Sequence, residues 1–494
     1  GKLSPLYIAL FLSGGLLPVG YTQELECKAG HINQQNNKVL KNCTINTPME
    51  QDDYRLLAIS NSDNLILDSL TTSSNIDSLR IDSSNITIKN SNIESISGAS
   101  KNWGTPSFNS VLSLDNAAVN VENSIINAKP TSSSQFNVRV NNGNLTVQNS
   151  TLRMQKIGDS VGKASAALSV TNGTAIVKNS IFDLDARADS YIATENNGKI
   201  ILENVTSTNV RAYPDFLTIG EGKSSVELIN SSFLGGIDST WDLTKEVEQA
   251  DVDITLTANS SLERDTLFRS TELPPASGYQ EKTKQLIENI NIAAKDSTLR
   301  GSVQLLSNKN GIIDDTFNVS LENSSWILGD NYYIGSPDVT DLTLKNADVT
   351  VNPNAQYIVQ IGSNSYKFST FNILGNLSGE GNFTLSTDLA NQQSDKIIVK
   401  GSDSGSFGLN IRDSGNEPNA ANGRVTLVET ATGTAKFTLL GKDYVDAGAY
   451  RYRLNQEGNN WVLSNNAAEK AQSNSQQSAE QPGTAVAATT PTGQ

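Results

Sequence analysis

The strongest constraint on the fold is a phrase that the chain repeats. "ITIKNSNI" from Ile86, "VNVENSII" from Val119, "LTVQNSTL" from Leu145, "AIVKNSIF" from Ala175 and "VELINSSF" from Val226 share one layout: alternating apolar and polar residues, then Asn-Ser, then a new apolar start. Aligned on Asn or Asp, the phrase gives a column at Asn42, Asp68, Asn90, Asn123, Asn149, Asn179, Asn204, Asn230, Asn259, Asp296, Asn323 and Asn346, with gaps of 22 to 37 residues. A period of that length marks a repeat array, so periodicity is read before domains.

Ahead of the column the chain alternates, as in Ile86-Ile88, Leu145-Val147, Ile200-Leu202 and Val319-Leu321, the period-2 mark of a strand with one buried face. Each repeat is therefore strand, sharp corner, strand, loop. Identical strands recurring in one direction pair in parallel with their copies, one coil every ~4.8 Å, around a continuous apolar interior. The expected fold is all-β, a right-handed parallel β-helix, the hand following the crossover rule. Twelve marked coils and about four unmarked ones would make a rod of about 75 Å. The composition agrees: 36 Gly against two Met and one His suit strands and turns, not amphipathic helices.

Asn suits the corner because its backbone tolerates the left-handed region and its amide can bond the next coil's amide. Asn90, Asn123, Asn149, Asn179, Asn204 and Asn230 are thus read as a structural ladder. The sequons this creates, such as Asn144-Leu145-Thr146, are by-products of the ladder.

A net charge of −15 lacks the basic stripe of a nucleic-acid binder and excludes nucleic acid as the expected partner. Residues 1–22 carry Lys2, an apolar run from Leu6 to Leu17 and a small, polar end at Thr22; they read as the remnant of a secretory signal. In an exported chain the only two cysteines, Cys27 and Cys43, are most simply a disulfide near the array's N-terminal end. With His31, the single histidine, they fall short of a four-ligand zinc site; no metal and no cofactor are expected.

Beyond Asn346 the text changes to "FNILGNLSGEGNFTLSTDL", "SDKIIVKGSDSGSFGLNIRDSGNEP" and "RVTLVETATGTAKFTLLGKDYVDAGAYRYRL", closing on "WVLS" with the aromatics Phe437, Tyr450, Tyr452 and Trp461. The run from Phe371 to Ser464, above all "DKIIV", "SGNEP", "GAYRYRL" and "WVL", closely resembles the pertactin-like passenger region of AIDA-type autotransporters, the self-transporting adhesins of Gram-negative bacteria. The resemblance implies four segments: 1–22 signal remnant, 23–370 β-helix passenger with loop insertions, 371–464 autochaperone-like cap, and 465–494 a low-complexity disordered linker. It also implies a C-terminal outer-membrane β-barrel as partner, not contained in this chain, and a place on the bacterial surface.

Catalysis is read as absent. "GDSVG", residues 158–162, is similar to the surround of a trypsin-like serine, but Val161 replaces a glycine and His31 is the sole candidate base. Asp183, Asp185, Asp189, Asp251, Asp253, Asp314 and Asp315 are candidate acids for a polysaccharide lyase or hydrolase, the enzymatic alternative, yet suit solvated coil edges equally.

Binding is read from the long gaps. Insertions such as "SGASKNWGTPSFNS", "TNVRAYPDFLTIG", "GGIDSTWDLTKEVEQA" and "ERDTLFRSTELPPASGYQEKTKQLIEN" recur after the ladder and would wall one side of the rod. They hold Arg211, Tyr213, Trp241, Lys245 and Arg264, whose flat rings and donors suit sugars. A second column precedes the ladder by seven residues at Asn116, Asn142, Asn172, Asn197 and Lys223, with Asn-Gly turns at three of them. Its regular polar stripe would suit a linear glycan. The expected function is an adhesin for host extracellular-matrix glycans, such as glycosaminoglycans, or glycoproteins, such as fibronectin. Self-association leading to aggregation and biofilm is the alternative within binding, and no Arg-Gly-Asp occurs.

Overall fold

A computed structural model describes residues 23–46, 55–98, 108–159, 163–208, 214–239, 248–270, 286–308, 310–329, 336–353, 355, 367–419 and 421–466. The expected signal, residues 1–22, and the expected linker beyond 466 lie outside them.

One repeat shows how the sequence closes a coil. Phe136–Asn141 forms a first face, Asn144–Gln148 a second and Thr151–Met154 a third. Asn142 and Asn149, at φ 52 and 49, turn the chain between them. The insertions before Ser110, Phe136, Lys163 and Asp215 fall at the remaining corner, between the third face and the next first face, whereas those between Ile237–Ser239 and Glu248–Thr257 and between Ser261–Arg269 and Leu286–Lys295 fall between a first and a second face. Each strand pairs in parallel with its copies one coil away: Leu145 and Val147 lie between Val119 and Val121 on one side and Ala175 and Val177 on the other. All six are buried, and stacking such sets yields one continuous apolar core from Leu40 to Leu463. The chain is a parallel β-helix; Leu389–Asn391 is the one helical turn among the described residues.

The Asn column is a backbone device before it is an amide ladder. Asn42, Asn90, Asn123, Asn149, Asn179, Asn204, Asn230, Asn259, Asp296, Asn323 and Asn346 all take positive φ. Their N–H groups reach the next coil, as Asn123 to the Gln148 carbonyl at 3.2 Å and Asn149 to that of Lys178 at 3.2 Å. Amide-to-amide bonds join Asn204 to Asn179 at 3.0 Å, Asn230 to Asn204 at 2.6 Å and Asn346 to Asn323 at 2.7 Å. Asp68 does not belong in the column. Ser69 takes the left-handed turn at φ 56, and Asp68 pairs with Lys41 and Lys89 one position earlier.

That earlier position is itself a ladder. Lys41, Asp68, Lys89 and Glu122 stack in register, then Gln148, Lys178 and Glu203, and farther on Lys295, Glu322, Lys345 and Glu380. Ion pairs form between Lys178 and Glu203 at 3.5 Å and between Lys345 and Glu322 at 3.2 Å. Exposed pairs contribute at most about 1 kcal/mol each. Their larger effect is on register, because most slips by a whole coil would set like charges face to face.

The serine after the Asn points inward. Ser91, Ser124 and Ser150 each accept a backbone N–H from the preceding coil at 3.0 Å, and Ser231, Ser260, Ser297 and Ser324 do the same at 3.0 to 3.2 Å. Their hydroxyls donate back to their own coil, as Ser150 to the Gln148 carbonyl at 2.7 Å. The left-handed corner breaks the strand ladder, and the hydroxyl satisfies the amide this would orphan inside the core. Ser231→Ala is expected to strand the Val205 N–H and cost about 1–3 kcal/mol. Hydrogen exchange should accelerate at Val205 first; unchanged protection there would refute the role.

At the N-terminal end Cys27 and Cys43 are joined by a disulfide, their Cα atoms 5.6 Å apart. At the other end the topology changes. Thr370–Ile373, Lys396–Val399 and Arg424–Thr430 continue the parallel stack, but Arg424–Thr430 then pairs antiparallel with Asn460–Asn465, which pairs with Tyr450–Glu457, which pairs with Val445–Ala447. This meander covers the open end of the coil, where unpaired strand edges would otherwise invite association. Phe383, Phe407, Phe437 and Trp461 stack from rod into cap with centroids 5.7, 5.5 and 5.8 Å apart. Mid-rod, Phe182, Tyr191, Phe216 and Phe233 form a second buried cluster.

Candidate ligand-binding faces

The second column occupies the corner between the first and second faces. Asn116, Asn142 and Asn172 take φ 49, 52 and 49, and each is exposed. Asn116 N–H donates to the Asn141 carbonyl and Asn142 N–H to that of Thr171, so the backbone carries the stack and the amides face solvent. The coil then widens by one residue: Thr171 aligns with Glu195 and Gly173 with Gly198, leaving Asn196 and Asn197, both at positive φ, opposite Asn172. In the Asn-Gly pairs the Asn makes the turn and the Gly permits close approach, since a Cβ at Gly173 would lie 2.2 Å from the Gly143 carbonyl oxygen. Lys223 is exposed on Gly222–Ile229 and aligned with Asp251.

Arg211, Tyr213, Trp241 and Lys245 lie outside the described residues. Ser97 bonds Lys129, Phe136 bonds Asn109 and Ser165 bonds Gln135, all through backbone, so the insertions of three successive coils, before Ser110, Phe136 and Lys163, are rooted on the corner between third and first faces. The insertion that holds Trp241 and Lys245 instead separates the first-face strand Ile237–Ser239 from the second-face strand Glu248–Thr257. The fourth quoted insertion is shorter than it reads. Glu263–Arg269 belongs to the strand Ser261–Arg269, and Arg264 is a clamp between coils: it donates to Asp215 at 2.9 Å and to the Pro214 carbonyl at 2.8 Å. Burial, with Asp238 adding repulsion, pushes the Asp215 carboxyl up to about 6 against the pull of Arg264.

Beside the insertion corner the first face carries a shallow groove of about 190 Å³. Its floor is the outward row Arg139, Ser169, Ala193 and Thr218, stacked in register. A second groove lies farther along on the second face, bordered by Asp253, Asn291, Asn318 and Asp341. There each amide is committed to its neighbour: Asn291 donates to Asp253 and Asn318 to Asn291, both at 2.9 Å.

The candidate catalytic acids are used by the scaffold. Asp183 takes Arg153 at 2.9 Å and Thr208 at 2.8 Å; Asp189 takes Lys163 at 2.8 Å; Asp251 takes Asn289 at 2.9 Å; Asp314 accepts from Asn308 and Asp315 from the Glu288 N–H. Asp185 is exposed. Ser160 of the "GDSVG" stretch lies outside the described residues. Among the described residues no three His, Cys, Asp or Glu side chains are grouped to hold a metal ion.

The pertactin family model matches residues 339–465. The autotransporter adhesin/invasin TibA of Escherichia coli O78:H11 is 37% identical over 129 residues, covering 26% of this chain and 12% of that protein. An immunoglobulin A1 protease autotransporter of Haemophilus influenzae is 30% identical over 188 residues, covering 37% of this chain and 11% of that protein. The crystal structure of the Haemophilus influenzae Hap adhesin aligns at 16% identity with a TM-score of 0.31, over 88% of this chain and 56% of that one. The chain thus spans about an eighth or less of the length of these two curated relatives. A parallel coil ending in this matched domain supports the class of an autotransporter passenger. Within that class its C-terminal quarter is of the pertactin type.

Proposed function

We propose that the chain is the adhesive portion of an autotransporter displayed on the bacterial surface, and that it binds host extracellular-matrix glycans or glycoproteins through the face beside the insertion corner. The observation that supports this reading is the rooting of the insertions of three successive coils, before Ser110, Phe136 and Lys163, on one corner next to the first-face groove. A rigid rod with a laterally walled groove holds an extended ligand with little loss of its own freedom, the usual gain from preorganisation.

Purified protein is expected to bind immobilised glycosaminoglycans or fibronectin saturably and leave polymer length unchanged. Failure to bind any matrix component would sink the reading, and shortened polymer would replace it with an enzymatic one. Self-association is the second reading, supported by Ile181 and Leu234, which are 39% and 49% exposed on the third face. It predicts concentration-dependent sedimentation that Leu234→Lys reduces.

A further inference from the structure

Most cations on the faces near the groove are neutralised. Arg80 pairs with Asp115, Arg153 with Asp183, Lys163 with Asp189 and Arg264 with Asp215. Arg139 is different. It is the outward residue between buried Val138 and Val140, it is exposed, and no carboxylate among the described residues pairs with it. Its guanidinium carbon sits 4.9 Å from the centroid of the Phe136 ring, which holds the planar fork over the lip of the first-face groove.

From Arg139 the floor runs through Ser169, Ala193 and Thr218, side chains too small to fill the space above them. Ser169 stands one rung from Arg139 and offers a hydroxyl. At the far wall Glu195 packs on Gly220, where a Cβ would come within 2.7 Å of its Oε2. Asp189, the other acid in the lining, is held by Lys163 at 2.8 Å. The unneutralised charges of the groove are therefore one cation and one anion, two rungs or about 10 Å apart along the rod.

We propose that this groove is a subsite for a single carboxylate-bearing sugar within an otherwise neutral or sparsely charged glycan. The proposal rests on the adhesin reading and narrows its ligand. The Arg139 fork takes the carboxylate bidentately, as guanidinium geometry favours. Ser169 donates to a ring oxygen or hydroxyl, and Glu195 accepts from hydroxyls of the adjoining sugar. A sulfated polyanion fits poorly, because Glu195 and the net charge of −15 repel every anionic group beyond the first.

The test uses the whole chain and four immobilised probes: a glycoprotein whose glycans end in carboxylated sugars, the same glycoprotein stripped of them, an unsulfated uronate polysaccharide, and heparin. Wild type is expected to bind the first or third, the pair distinguishing a terminal from an internal acidic sugar, with a shallow salt dependence. Arg139→Gln should weaken that binding at least tenfold, Arg139→Lys should do so less, and Ala193→Trp should abolish it by filling the groove. All three variants should melt like wild type, since both positions face solvent. Unaltered binding by Arg139→Gln and Ala193→Trp, or a preference for heparin with steep salt dependence, overturns the subsite and leaves the adhesin reading standing. If wild type binds no probe and no matrix protein, the adhesin reading itself falls and the subsite with it.

Discussion

Phe407→Ala is expected to unfold the C-terminal cap while the rod upstream stays folded. Phe407 is 2% exposed and lies between Phe383 and Phe437, so truncation removes one buried ring and two ring contacts at once. Core Phe→Ala changes cost about 3–5 kcal/mol. A solenoid cannot spread that loss over the whole chain, because each coil touches only its neighbours. Two buried or half-buried indoles report the two parts separately: Trp461 packs on Phe437 in the cap, and Trp326 packs on Phe371 in the rod. Denaturant titration of single-Trp variants should show the Trp461 transition moving to lower denaturant by far more than that of Trp326. Equal shifts at both would mean that rod and cap unfold as one unit.

The second large effect centres on Asp395, which is fully buried where the rod meets the cap. Its Oδ1 accepts the Asn352 amide at 2.9 Å and the Ser369 N–H at 2.8 Å, and its Oδ2 accepts the Ser386 N–H at 2.6 Å. Asp395→Ala leaves three buried donors without acceptors, at about 1–3 kcal/mol each where water cannot reach them. Loss of the cap's cooperative transition is the expected outcome, with Asp395→Asn milder because it keeps one oxygen.

Burial dominates over these donors and pushes the Asp395 carboxyl from 3.8 up to about 7. The folded state therefore keeps a proton that the unfolded state releases, so this group's contribution to stability is full below about pH 4 and is lost as pH rises through about 7. The cap should be more stable at pH 5 than at pH 8 by an amount that disappears in Asp395→Asn. Identical pH slopes for wild type and Asp395→Asn would refute the assignment.

How far the chain could be read varied by element. Leu145 and Val147 alternate because one strand face is buried, and Asn149 recurs because a corner needs a left-handed turn; both signals are local, so both were legible. The serine ladder was equally local, sitting one residue after most of the aligned Asn, but its Oγ partner lies 21 to 37 residues away in another coil. Spacing alone does not say that the side chain points inward. Asp68 was misplaced for a related reason: "LDSL" offers two polar residues, and only pairing with Asn42 and Asn90 through their neighbours selects Ser69 as the turn.

The candidate site was legible only in outline. Insertions were visible as long gaps, but the residues singled out for their aromatic or basic chemistry do not include Arg139. In sequence Arg139 is one charged residue in an alternating strand, no different from Arg80 or Arg153. Its distinction is the lack of a carboxylate one coil away, and that is a property of stacking. By itself the sequence determined the strand period, the two Asn corners and the identity of the cap, because those follow from which side chains neighbour each other along the chain. Which hydroxyls close the corners, which charges cancel and where a groove stays open were decided by the tertiary structure. Each depends on a neighbour brought to about 4.8 Å by the coil from a residue some 25 positions away.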